Sequence, residues 1–194
     1  GIGMYERLHL EDEDEFFRVS TGSLPDLEVV REVMTEAYAR FADENSGKAA
    51  DYIPALARVS PDLFGVSMVG VGGADIGMGD CDHLFSIQSI SKPFVFALVC
   101  QALGAEGARA RVGVNATGLP FNSVMAVELN ADRTMNPMVN AGAIATTSCV
   151  PGANAEEKFR FIQDGLSRFA GRRLEVDEEV YTSEAETNLR NRGI

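Results

Sequence analysis

Ser89 and Lys92 stand three residues apart in the run Phe85-Ser86-Ile87-Gln88-Ser89-Ile90-Ser91-Lys92-Pro93-Phe94. On a helix, side chains at that spacing share a face, so the amine can lie against the hydroxyl. A hydroxyl is a poor nucleophile until a base takes its proton. An amine is such a base only when neutral, a form favoured by burial or a neighbouring cation. A serine at a helix start also carries its oxygen close to backbone N–H donors that stabilise an oxyanion. The chemistry on offer is nucleophilic attack by Ser89 with Lys92 as base. Taken alone, the tetrad more often marks an ordinary helix start with a solvated lysine. The apolar residues Phe85, Ile87, Ile90, Phe94 and Val95 on both sides argue instead for an embedded motif. Pro93 falls in the first turn, where its missing N–H costs little, but it disfavours the α conformation at Lys92. An irregular opening turn is expected there.

The elements that must position this pair are legible from periodicity. After Pro25, apolar residues at Leu27, Val30, Met34, Ala37, Tyr38 and Phe41 form one stripe of a helix reaching about Asp43. Phe64 to Val71 alternates and is followed by Gly72-Gly73 and a second extended run, the pattern of an antiparallel hairpin. An apolar helix runs from near Ser89 through Phe94–Leu103 and stops at Gly104, and Ala108–Ser123 reads as loop. Asn136–Val150 reads as a buried helix entered through Asn136-Pro137. Glu156–Phe169 carries Phe159, Ile162, Leu166 and Phe169 at helical spacing, with Gly171 as its stop. Ser183-Glu184-Ala185-Glu186 has the form of a capping box opening a last helix. The pattern predicts an α+β fold, with helices packed on an antiparallel sheet. Two strands do not make a stable sheet alone, so further strands are expected from outside these 194 residues or from a partner.

A hydrophobic content of 45% with 24% charged residues suits a soluble globular chain with a real core. The formal net charge of -12 disfavours nucleic acid and anionic membranes as partners. Residues 1–24 read as an acidic N-terminal extension, with the run Glu11-Asp12-Glu13-Asp14-Glu15 taken as a solvated segment. Cys81, Cys100 and Cys149 lack ligand-like spacing, which fits a reducing, cytoplasmic setting. No His/Cys/Asp cluster suggests a metal, no cofactor is implied, and no apolar run is long enough to span a bilayer.

Five motifs carry a resemblance. The run Gln88-Ser89-Ile90-Ser91-Lys92-Pro93-Phe94 resembles the nucleophile motif of the serine-dependent glutaminases, whose fold is similar to that of the serine β-lactamases and transpeptidases. Gly47-Lys48-Ala49-Ala50-Asp51-Tyr52-Ile53-Pro54, Gly118-Leu119-Pro120-Phe121-Asn122-Ser123 and Asn136-Pro137-Met138-Val139-Asn140-Ala141-Gly142-Ala143-Ile144 resemble further segments of that family in the same order. So does Ser183-Glu184-Ala185-Glu186, followed by Asn191-Arg192. The resemblance implies that residues 25–194 are the N-terminal part of a glutaminase catalytic domain, with the sheet incomplete.

It implies further that Ser89 attacks the side-chain amide of L-glutamine, forming a glutamyl ester that water hydrolyses to glutamate, and that Lys92 is the base. Such a site needs an anion for the substrate ammonium and donors for its carboxylate. Asn140, Glu184 and Asn191 are implied in substrate binding, with Tyr52 near the substrate and Gln88 lining the pocket, more through its backbone than its side chain. Glu184 and Asn191 are seven residues apart, so one helix face could present both. The residues by themselves also allow Asn140 as a turn or helix cap, Glu184 as a first-turn acid and Asn191 as a surface amide. Tyrosines and an oxyanion N–H that complete the family's site lie downstream of the Asn191-equivalent. The chain alone is therefore expected to be inactive or poorly folded unless a partner supplies them. Family resemblance also leads us to expect a homo-oligomer for the full-length form. Two other readings stay open: an S-x-x-K β-lactamase or penicillin-binding relative, and a non-catalytic, partner-dependent module.

Overall fold

A computed structural model describes residues 26–123, 125 and 136–192. The acidic run Glu11–Glu15 and the rest of the expected N-terminal extension lie outside the described residues. The described residues sort into two compact units, the first built from 26–48 and 61–83 and the second from 49–60 and 84–192.

In the first unit, helix α1 (Leu27–Phe41) packs on a hairpin of β1 (Gly65–Val69) and β2 (Asp75–Gly79). The strands pair antiparallel, with Val66 opposite Met78 and Met68 opposite Ile76. Gly70 N–H donates to Ala74 O at 2.8 Å and Gly73 N–H to Gly70 O at 2.9 Å, closing the turn the glycine pair predicted. Ile76 and Met34 are buried, and Tyr38 stacks on Phe64 with ring centroids 5.0 Å apart. Helix and hairpin are thus as expected, although of the α1 stripe only Met34 is buried while Leu27 and Phe41 at its ends are exposed, and among the described residues the sheet has two strands.

The second unit is helical. Among the described residues its elements include α2 (Pro54–Ala57), a 3₁₀ turn (Gln88–Ile90), α3 (Ser91–Arg111), α4 (Asn140–Ser148), α5 (Ala155–Ala170), α6 (Glu178–Thr187) and α7 (Leu189–Arg192). The core is Val95 and Val99 of α3 with Ala108 and Val150, against which Leu103, Phe161, Ile162 and Leu166 pack. Phe94 meets Phe169 with ring centroids 5.0 Å apart. Ile162, Leu166 and Phe169 of the expected α5 stripe therefore meet α3, joined by Phe161, whereas Phe159 is about half exposed and meets Tyr181 of α6. Asn154 caps α5 by accepting from Glu157 N–H at 2.9 Å, and Gly171 ends it at φ 65°, a left-handed conformation that costs glycine little.

Three boundaries differ from the sequence reading. The helix expected over Asn136–Val150 opens only at Asn140 and ends at Ser148, because Asn136 Oδ1 accepts from Met138 N–H and turns the chain before it. Gly104 does break α3, at φ 72° and ψ 166°, but the chain resumes helical turns to Arg111, so the loop begins after α3 and not at Ala108. The last long helix does not open at Ser183. It opens at Asp177, whose side chain accepts from Val180 N–H at 3.0 Å, and Glu178 and Glu179 occupy its first turn. An Asp cap with acidic neighbours is the stronger start signal, because it satisfies a free N–H and opposes the helix dipole together.

Candidate active site

The Ser–Lys segment opens α3. Ser89 sits in the 3₁₀ turn and is exposed, whereas Lys92 lies in the first turn of α3 and is half-buried. Burial holds the Lys92 ammonium below the ordinary lysine value, which enlarges the neutral fraction a base requires. The irregularity expected at Lys92 falls instead on Gln88, whose φ of 43° places a non-glycine residue in the left-handed region. Ser91 secures this bend: its hydroxyl donates to Gln88 O at 2.7 Å, and its N–H donates to the carbonyls of Gln88 and Ser89. The helix therefore starts immediately after the bend, with Ser89 held at its threshold.

The motif is not embedded as its apolar flanks suggested. Phe85 is 75% exposed and Ile90 53% exposed, while Val95 is buried in the core. The reason is local geometry. Only residues from Ser91 onward share a helix face that packs, and those before it point where the turn leaves them.

Asn140, Asn191 and Glu184 meet. Asn140 Nδ2 donates to Asn191 Oδ1 at 2.7 Å, and Asn191 Nδ2 donates to Glu184 Oε1 at 3.3 Å. All three are half-buried. The one helix face anticipated for Glu184 and Asn191 is interrupted: α6 ends at Asn188 (φ -90°, ψ 67°) and Asn191 belongs to α7. Asn188 manages that break. Its Oδ1 accepts from Asn191 N–H at 3.3 Å, and its Nδ2 reaches Glu184 Oε1 at 3.5 Å. Glu184 lies beyond the first turn of α6, so it is not a first-turn acid.

Nor is Asn140 a cap. Val139 occupies the N-cap of α4 without a side-chain cap bond, and the turn work falls to Asn136. Asn136 Oδ1 accepts from Met138 N–H at 2.7 Å, and its Nδ2 donates to Asn115 O at 3.0 Å. Asn140 N–H donates to Phe121 O at 2.7 Å, which leaves its side-chain amide for Asn191. Motif spacing gives Phe121 no role of its own, yet its carbonyl fixes Asn140. Gly142 completes the arrangement, because a Cβ there would overlap the carbonyl oxygen of Asn136.

Tyr52 is 62% exposed and precedes Ile53, which is wholly buried. Ser89, Lys92, Gln88, Tyr52, Asn140, Glu184 and Asn191 all fall in the second unit. Direct hydrogen bonds join Asn140, Asn191 and Glu184. Chemically, the unit offers a hydroxyl, an amine with a lowered pKa, a carboxylate and oriented amides.

The family model for glutaminase matches residues 47–194. The chain is 57% identical over 176 residues to glutaminase 2 of Yersinia pestis, an alignment covering 91% of this chain and 52% of that protein. It is 47% identical over 170 residues to the glutaminase of Colwellia psychrerythraea, covering 88% and 55% respectively. The solved structure of "Probable glutaminase ybaS" superposes with a TM-score of 0.81 at 38% identity, covering 87% of this chain and 55% of that one. The fold is thus shared with glutaminases, in line with the β-lactamase-like α+β class expected from the motifs. The chain spans about half the length of the curated relatives it matches.

Proposed function

The chain belongs to the glutaminase family, and from that premise we propose that the whole protein hydrolyses L-glutamine to L-glutamate and ammonia. Ser89 Oγ attacks the side-chain amide carbon while its proton passes to Lys92. The C–N bond breaks, ammonia leaves with that proton, and a glutamyl ester remains on Ser89. Water then attacks the ester, releasing glutamate and restoring the hydroxyl. The Glu184 carboxylate is suited to the substrate ammonium, and Asn140 and Asn191 supply amide donors for its carboxylate. Tyr52 and the Gln88 backbone complete the near side of the pocket.

The observation that carries this reading is the Asn140–Asn191–Glu184 hydrogen-bonded set, assembled from two motifs 51 residues apart in sequence. It supplies the mixture of carboxylate and amide that a free amino acid requires. Cysteines without ligand-like spacing support a cytoplasmic setting for the whole protein, and family resemblance supports a homo-oligomer; among the described residues no helix is long and apolar enough to cross a membrane. Ammonia release from glutamine by the full-length protein tests the reading. Ser89→Ala is expected to lower kcat by at least ~10³-fold, as loss of an activated nucleophile does. A folded protein without turnover, or turnover indifferent to Ser89→Ala, would sink it.

A further inference from the structure

Helix α2 begins without a cap of its own. Ile53 at its N-cap is apolar and buried, with extended backbone (φ -125°, ψ 119°), and Pro54 has no N–H. Leu56 and Ala57 N–H groups both donate to Ile53 O, at 3.0 and 3.2 Å. That leaves Ala55 N–H, and its acceptor comes from another helix: Ser183 Oγ of α6, at 3.2 Å. The other end of α2 is tied to the same helix, because Arg58, the residue after α2, pairs with Glu179 one turn before Ser183. Both tethers leave from the face of α6 next to Glu184. Both hold the short segment whose preceding residues are Ile53 and Tyr52.

Building on the glutaminase reading, we propose that Ser183 is a positioning residue that caps α2 in trans and thereby sets Tyr52 against Glu184 for substrate binding. The serine in S-E-A-E then serves a different helix from its own. Of the two tethers, the Arg58–Glu179 pair is solvent-exposed and contributes little fixed geometry. The hydrogen bond from Ala55 is partly buried, and losing its acceptor leaves an N–H without a partner, which gives it the larger effect. Affinity for substrate, and not the chemical step at Ser89, should respond.

The test uses the full-length protein with Ser183→Ala and Ser183→Thr. For Ser183→Ala, KM for glutamine should rise about 5–30-fold, the range for a lost cap or half-buried hydrogen bond, with kcat within about twofold. Hydrogen exchange of the Ala55 amide should accelerate by a similar factor. Ser183→Thr keeps the oxygen and should restore both values. In a double-mutant cycle, the KM effect of Tyr52→Phe should shrink once Ser183 is alanine. Unchanged Ala55 exchange, a loss in kcat instead of KM, or additivity with Tyr52→Phe would each overturn the proposal. If Ser183→Ala loses its fold, Ser183→Thr decides: wild-type KM and exchange support the cap, and alanine-like behaviour refutes it. Absence of glutamine turnover in the unmodified protein would refute the hydrolase reading instead, and Ala55 exchange would then decide the cap alone.

Discussion

Lys92 meets two opposed demands. A base at Ser89 must be neutral, and burial favours that form by lowering the ammonium's pKa from the ordinary 10.5. The same burial costs stability wherever the folded protein carries the charge. Between the lowered folded value and 10.5 the unfolded chain binds more protons, so stability rises with pH across that window. Below the folded value the cost is present in full, and above 10.5 it is gone. Lys92→Met should therefore melt higher than the unmodified chain at pH 7 while abolishing any Ser89 chemistry. The difference in Tm should close as pH approaches 10. Circular-dichroism melts across pH check this, and a lower Tm for Lys92→Met at pH 7 would contradict the burial argument. The Ser–Lys spacing was readable in the sequence because it is local. Its exposure was not, since apolar neighbours in a chain do not reveal which way a 3₁₀ turn points them. The union of Asn140 with Asn191 was likewise unreadable from spacing, and only motif resemblance placed the two together.

At the scale of elements, the turn over α4 is the tightest point of the site. Asn136, Gly142 and Asn140 are interlocked: the carbonyl of the first occupies the space a side chain on the second would need, and the third is pinned to Phe121 O. Gly142→Ala should destabilise the chain by about 1–3 kcal/mol, as overpacking at a rigid backbone contact does, and weaken substrate binding. Urea unfolding measures the first effect and KM the second; a neutral Gly142→Ala would show that the turn yields. Elements with strong periodicity (α1, the hairpin, α5) are legible from sequence because propensity and pattern agree there, and for α5 the Asn154 cap and the Gly171 stop agree as well. The start of α6 was misread because Ser183-Glu184-Ala185-Glu186 imitates a capping box, while Asp177 offered the real one. The helical turns after Gly104 were missed because a glycine stop gives no sign that the helix resumes.

For the molecule as a whole, the second unit exposes Leu84, Phe85, Ile90, Phe121 and Leu189 although its core is well formed. We infer that contacts in the whole protein cover these side chains. The chain also spans about half the length of its relatives. The 194-residue chain alone should bind 8-anilinonaphthalene-1-sulfonate strongly and keep growing in size as its concentration rises, whereas the full-length protein should bind little dye and hold one fixed oligomeric size. Dye fluorescence and light scattering compare them, and equal dye binding would count against a covered surface. Ribosomes deliver a chain from its N-terminus, at roughly 5–20 residues per second. The turn that presents Ser89 is tied by the neighbouring Ser91 and can form early, whereas the helix that carries Lys92 packs on residues of α5 made about 60 positions later. The amide of Asn140 finds its partner only after 51 more residues have been added. During synthesis, then, the Ser89 turn precedes the amide pair proposed to hold the substrate, and Asn191 is the residue whose arrival completes that pair.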